Sequence, residues 1–138
     1  MSILQNKYNI EIWQGSTFGL TIAVKYANNT PKNITSDSAR MQIRSSYDNN
    51  TASETMSTSN GEITITDGAN GVLHIELSAE RTANLTVDLS TIVPVRISET
   101  EVVRIPRKVY VYDLELVSAN GVTKILHGDA NVYGEVTR

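Results

Sequence analysis

The chain has 138 residues, a formal net charge of −3 and no cysteine. Disulfides and thiolate metal sites are therefore excluded, and the sparse, mixed charge offers no basic stripe for nucleic acid or an anionic membrane surface. One hydrophobic core, and so one domain over residues 1–138, is the expectation for this length.

Residues 1–7 lack the apolar core of a signal peptide, and no apolar stretch approaches the roughly 20 residues that span a bilayer. Synthesis in a cytoplasm without membrane insertion is expected. Thr, Ser and Asn supply 15, 13 and 12 residues. Thr suits pleated strands while Ser and Asn suit turns, so the bias favours β-structure with many polar loops.

The hydrophobic period is two along most of the chain. Tyr8, Ile10 and Ile12 share one face of a first strand, and Gln14-Gly15-Ser16 breaks it. Phe18, Leu20, Ile22, Val24 and Tyr26 form the face of a second. Residues 27–33 read as a polar loop ended by Thr30-Pro31. Ala39, Met41 and Ile43 alternate with Arg40, Gln42 and Arg44 in a third strand. Residues 45–60 read as a long exposed loop or a weak edge strand, with Tyr47 and Met56 as anchors.

Ile63 and Ile65, then Leu73, Ile75 and Leu77, flank Asp67-Gly68-Ala69-Asn70-Gly71, a hairpin with a strong turn signal. Residues 78–85 are the one helical candidate, with Ser78 as cap and Glu80 near the positive end of the helix dipole. Residues 91–97 and 101–105 are apolar runs joined by Ser98-Glu99-Thr100. Pro94 and Pro106 suit these runs to edge strands or an extended hairpin within residues 87–108. Residues 109–117 and 122–136 flank Asn120-Gly121, a favoured hairpin turn, and Gly128 reads as a bulge. The expected fold is all-β, an antiparallel immunoglobulin-like sandwich with one short helix and a projecting hairpin. An eight-stranded barrel is the alternative.

Signals for chemistry are sparse. The two histidines are His74, on an outward strand face, and His127, near Asp129; neither completes a nucleophile–base arrangement by sequence spacing. The Asp67 turn lacks the further acidic positions of a calcium loop. Asn28, Asn33, Asn49 and Asn84 stand in Asn-x-Thr sequons, which abundant Asn and Thr explain without glycosylation. No catalytic, cofactor-binding or metal-binding residue is assigned, and an enzyme is not expected.

Contact surface is the better-marked feature. Val93, Val95, Ile97, Val103 and Ile105 put much apolar area on a proline-flanked hairpin, which needs cover from another chain. Strand addition is one way to supply it. Trp13 is either an interface anchor or a plug at the end of the core. Arg40, Arg44, Arg104 and Arg107 read as solvated strand-face charges, some available to subunit contacts.

The order of these segments resembles phage virion domains similar to the N-terminal domain of the baseplate upper protein. The resemblance is carried by Gln14-Gly15-Ser16-Thr17-Phe18, Pro31-Lys32-Asn33-Ile34-Thr35 and Ala39-Arg40-Met41-Gln42-Ile43-Arg44. It continues through residues 71–78, Tyr110-Val111-Tyr112-Asp113-Leu114-Glu115-Leu116, Gly128-Asp129-Ala130-Asn131-Val132 and Val136-Thr137-Arg138. It implies a structural virion protein of tail, neck or baseplate that contacts other phage virion proteins and forms a homo-oligomer within the particle, after synthesis in the host bacterial cytoplasm. Residues 87–108 are longer than the usual link. The sequence also ends without the coiled coil or receptor-binding region that often follows in such proteins, which favours a connector over receptor recognition. A receptor- or carbohydrate-binding module of a tail fibre is the alternative, and would need a cluster of exposed aromatics.

Overall fold

In the computed structural model, which describes residues 6–88 and 90–134, alternating apolar residues build strands almost throughout. The strands are β1 (Asn6–Lys7), β2 (Ile10–Trp13), β3 (Phe18–Ala23), β4 (Ser38–Arg44) and β5 (Glu54–Ser57). A second group follows: β6 (Ile63–Asp67), β7 (Val72–Leu77), β8 (Ile92–Arg96), β9 (Val102–Ser118) and β10 (Gly121–Tyr133). Between β7 and β8 lies the short helix α1 (Ala79–Ala83), whose N-cap Ser78 Oγ accepts from the Arg81 amide at 3.3 Å.

Seven strands form the larger sheet, in the order β1-β10-β9-β4-β5, with β2 also beside β10 and β8 beside the first part of β9. The smaller sheet has three, in the order β3-β7-β6. Met41, Ile43, Tyr112, Leu114, Leu116 and Val132 of the larger sheet belong to one core cluster with Ile63, Leu73, Ile75 and Leu77 of the smaller. Two separate sheets sharing one core make a β-sandwich, so the barrel alternative is set aside. Truncating a core residue such as Leu114, which is fully buried, is expected to cost about 2–5 kcal/mol.

The polar links are built locally. Asn28, Asn33 and Asn49 each accept through Oδ1 from the backbone N–H of the Thr two residues on. Three of the four sequons are therefore Asx-turns, in which the side chain replaces a backbone turn contact. The 45–60 segment contains β5, an edge strand paired with β4; Met56 is buried there, but Tyr47 is 67% exposed and anchors nothing.

Several expectations need correction. The first strands are not antiparallel: β1 and β2 both pair parallel with β10. Tyr8 lies between them and is 52% exposed, off the face shared by buried Ile10 and Ile12. The chain breaks step there as it crosses over Gly128, where a Cβ would collide with the Tyr8 carbonyl. Gly128 thus permits a close backbone approach and pairs regularly with Tyr112. The bulge lies instead between Lys124 and Leu126, and Ile125 and Leu126 are both buried as a result. The β9–β10 loop is Ala119-Asn120, with Gly121 already paired to Ser118. Pro106 does not divide the hairpin arm from the core strand; β9 runs through it for 17 residues, roughly 55 Å. The motif Val136-Thr137-Arg138 lies outside the described residues.

Candidate functional site

The length of β9 creates the candidate site. Residues 107–118 lie in the larger sheet beside β10, and residues 111–117 also pair with β4. Among the described strands, residues 102–106 pair only with β8, so this end is a two-stranded hairpin carried past the sandwich. Its root is tied by Arg107 N–H to Thr91 O at 2.9 Å and by Gly134 N–H to Pro106 O at 2.7 Å. Before it, exposed Asp88 accepts from the Ser90 amide at 2.9 Å and from the Ser90 and Thr91 hydroxyls. These hydrogen bonds, led by the Ser90 hydroxyl, hold the Asp88 carboxyl below its usual range.

Register sorts the hairpin into two faces. Val93 pairs with Ile105 and Val95 with Val103, and Ile97 N–H meets Glu101 O at 3.0 Å at the tip. Strand alternation therefore places Val93, Val95, Ile97, Val103 and Ile105 on one face. That face continues the outer side of the larger sheet, because odd-numbered residues of β9 point away from the core holding Tyr110, Tyr112 and Leu114. The opposite face carries Ile92, Pro94 and Arg96 against Pro106, Arg104 and Val102.

Burial modifies the expected contact set. Ile105 is only 2% exposed and already satisfied within the chain, while Val93, Val95 and Val103 are half-buried. Ile97, at 55%, is the most open of the five. Ile92 and Val102 on the opposite face are exposed as well, so apolar surface is divided between the two sides. The sequence reading did not single out these two, although both sit inside its apolar runs.

Trp13 lies at the hairpin root. It stacks on Tyr133, with ring centroids 4.5 Å apart and planes 21° from parallel. Tyr133 is the register partner of Arg107, two positions along β9 from Ile105. Ile10 and Ile12 of the same strand point inward, so Trp13 is on the outer surface, half-buried, and does not plug the core. Arg107 is not fully solvated: its Nε is buried and has no hydrogen-bond partner among the described residues. Arg96 Nη1 donates to Glu99 O at 2.8 Å and shapes the tip turn.

Edge chemistry decides how the hairpin can be joined. The Ile97-to-Glu101 bond and the period of two turn positions 93, 95 and 97 toward β9, and positions 92, 94 and 96 outward. Pro94 therefore stands on the free edge of β8 and removes a donor there. On the far edge of β9, positions 102 and 104 point outward with intact N–H groups. Among the described residues, the unblocked edge is that of β9.

His127 and Asp129 serve the fold through their backbones. His127 O accepts from Tyr8 N–H at 2.8 Å, and Asp129 N–H donates to Asn9 Oδ1 at 3.0 Å; both groups hold the N-terminal segment. Asp67 accepts from Asn70 Nδ2 within its own turn, at 2.9 Å. Sequence spacing missed one constellation: Thr21 Oγ1 lies 2.9 Å from His74 Nδ1, and His74 Nε2 lies 3.5 Å from Glu76 Oε1. This hydroxyl–imidazole–carboxylate row joins neighbouring strands, which period-two patterning cannot reveal. It stands on the exposed outer face of the smaller sheet, where water competes for every group. Among the described residues no three His, Asp or Glu side chains gather to hold a metal ion, and no helix is long and apolar enough to cross a membrane.

No protein-family model and no curated protein matches this sequence.

Proposed function

We propose that this chain is a structural protein of a bacteriophage particle, a connector in tail, neck or baseplate. It would join neighbouring virion proteins, and copies of itself, through the β8–β9 hairpin. The observation that carries this reading is the hairpin itself: two strands extend past the sandwich with apolar residues on both faces. An isolated two-stranded ribbon is marginally stable in water, so such a ribbon gains from cover by another subunit. The order of motifs similar to phage virion domains supports the same reading.

The chain has no cysteine, so an Ile97→Cys variant places a unique thiol at the hairpin tip. Loaded with a short cross-linker and assembled into particles, it is expected to couple to virion proteins. Particles that form fully without this chain, or that contain it with the tip uncoupled, would sink the proposal.

A further inference from the structure

Among the described residues the sandwich is open along one side. β3 ends the smaller sheet, and its outer edge has no partner strand among the described residues. Val24 N–H donates to Gly71 O at 2.8 Å, so the period of two points the N–H and C=O groups of Gly19, Thr21 and Ala23 away from β7, toward the opening. A groove of about 550 Å³ runs between this edge and the β1–β10 edge of the larger sheet. Leu20, Ile22, Ile125 and Leu126 line it, and among the described residues its only charged lining side chains are Lys7 and Lys25. Neither lysine is ion-paired among the described residues. Leu20 and Ile22 are half-buried, whereas their neighbour Val24 is 3% exposed.

The hairpin carries the complement. Its tip presents Glu99 and Glu101, neither of them ion-paired among the described residues, between exposed Ile97 and Val102. Beside the tip, the β9 edge at Val102 and Arg104 offers backbone donors and acceptors that no strand among the described residues takes up. The described residues thus hold an unpaired strand edge with acidic flanks, and a separate unpaired strand edge over an apolar groove with a cationic rim.

We infer that the hairpin tip of one copy docks in the β3–β10 groove of a second copy. The β9 edge adds to the β3 edge, and Glu99 and Glu101 face Lys7 and Lys25. Backbone pairing supplies the adhesion, while apolar residues at alternate positions cover Leu20 and Ile22. The blocked β8 edge leaves one edge of the hairpin for the join. Donor and acceptor surfaces differ, so the contact is head-to-tail and generates a ring or an open row of subunits. The inference rests on the structural reading above in taking the hairpin as the joining element, and it adds the hairpin's partner.

A charge exchange tests it. One variant carries Lys7→Glu and Lys25→Glu, the other Glu99→Lys and Glu101→Lys, with folding checked by circular dichroism. Sedimentation at low ionic strength is expected to show wild-type chains associating as concentration rises, and either variant alone remaining monomeric. A mixture of the two should restore association in alternating order, since each variant's tip is then opposite in charge to the other's groove. Salt at about 0.5 M should weaken the wild-type association through screening.

Unchanged self-association of either variant alone, or no association in the mixture, would overturn the inference. A wild-type chain that stays monomeric while its Ile97→Cys tip couples to other virion proteins would overturn it too, and leave the proposed function standing. A chain that associates by this exchange pattern but never enters particles would support the contact and remove the phage role.

Discussion

The Tyr112 hydroxyl donates to the backbone carbonyl of Tyr8 at 2.5 Å, so a residue in the middle of the larger sheet holds the N-terminal edge from 104 positions away. Tyr112 is 2% exposed, and burial, with a smaller contribution from Tyr8, pushes its phenol well above the ordinary value of 10.0. Tyr112→Phe is expected to cost about 1–2 kcal/mol in urea unfolding. It should also speed amide exchange at Tyr8, whose N–H bonds His127 O. The pH dependence has a definite sign. The folded state keeps this proton where the unfolded chain releases it, so stability is full below about pH 10 and falls as pH rises beyond it. The difference between wild type and Tyr112→Phe should therefore shrink above pH 10. A constant difference would mean that the phenol titrates alike in both states.

Patterning made most of the sandwich readable before any coordinates. Ala39, Met41 and Ile43, and Leu73, Ile75 and Leu77, are buried in the positions that period two assigns them. The same alternation selected Val93, Val95, Ile97, Val103 and Ile105, and register places all five on one hairpin face. What escaped depends on partners distant in sequence. The parallel pairing of β1 and β2 follows from their meeting β10, more than a hundred residues on, and no local period encodes direction. Lys7 and Lys25 look like ordinary solvated charges until strand order shows that β3 is an edge with β1 across the opening. Gly128 was legible as special, but its reason, the carbonyl of Tyr8, was not.

Pro94 gives the second test. Its ring stands on the outer edge of β8, where a missing donor interrupts any ladder a further strand might build. Pro94→Val restores that donor and adds a β-former. The variant is expected to remain folded by circular dichroism yet to scatter light and bind amyloid-type dyes sooner at equal concentration. Aggregation no faster than wild type would show that the edge is shielded by something other than the proline.

Arg81 joins three elements. Its Nε lies 2.6 Å and its Nη2 2.5 Å from Glu54 Oε1, while Nη1 meets Glu62 and Nη2 also reaches Thr55 O at 3.2 Å. One guanidinium thus ties α1 to β5 and to the segment before β6. The side chain is 34% exposed, so solvent screens part of the gain. Arg81→Ala is expected to cost about 1–2 kcal/mol, less at high salt. Arg81→Lys should recover little, because a single ammonium cannot satisfy both carboxylates and a carbonyl in one plane. Full recovery by lysine would show that charge alone matters there.

The hairpin face offers a contrast between positions that share chemistry and differ in burial. Val95 and Val103 are directly opposed and half-buried, whereas Ile105, one pair nearer the root, is 2% exposed. A carboxylate at Val95 or Val103 keeps access to water. Val95→Glu and Val103→Glu are therefore expected to leave the melting temperature within a few degrees of wild type while abolishing incorporation into particles. Ile105→Glu has no such access and must bury a charge or expel the strand, at a cost of about 3 kcal/mol or more. Thermal unfolding and particle assembly, measured on all three, separate the two roles. Normal assembly of the Val95 and Val103 variants would mean that this face touches no partner. A silent Ile105→Glu would mean that the hairpin root opens freely enough to hydrate the new charge.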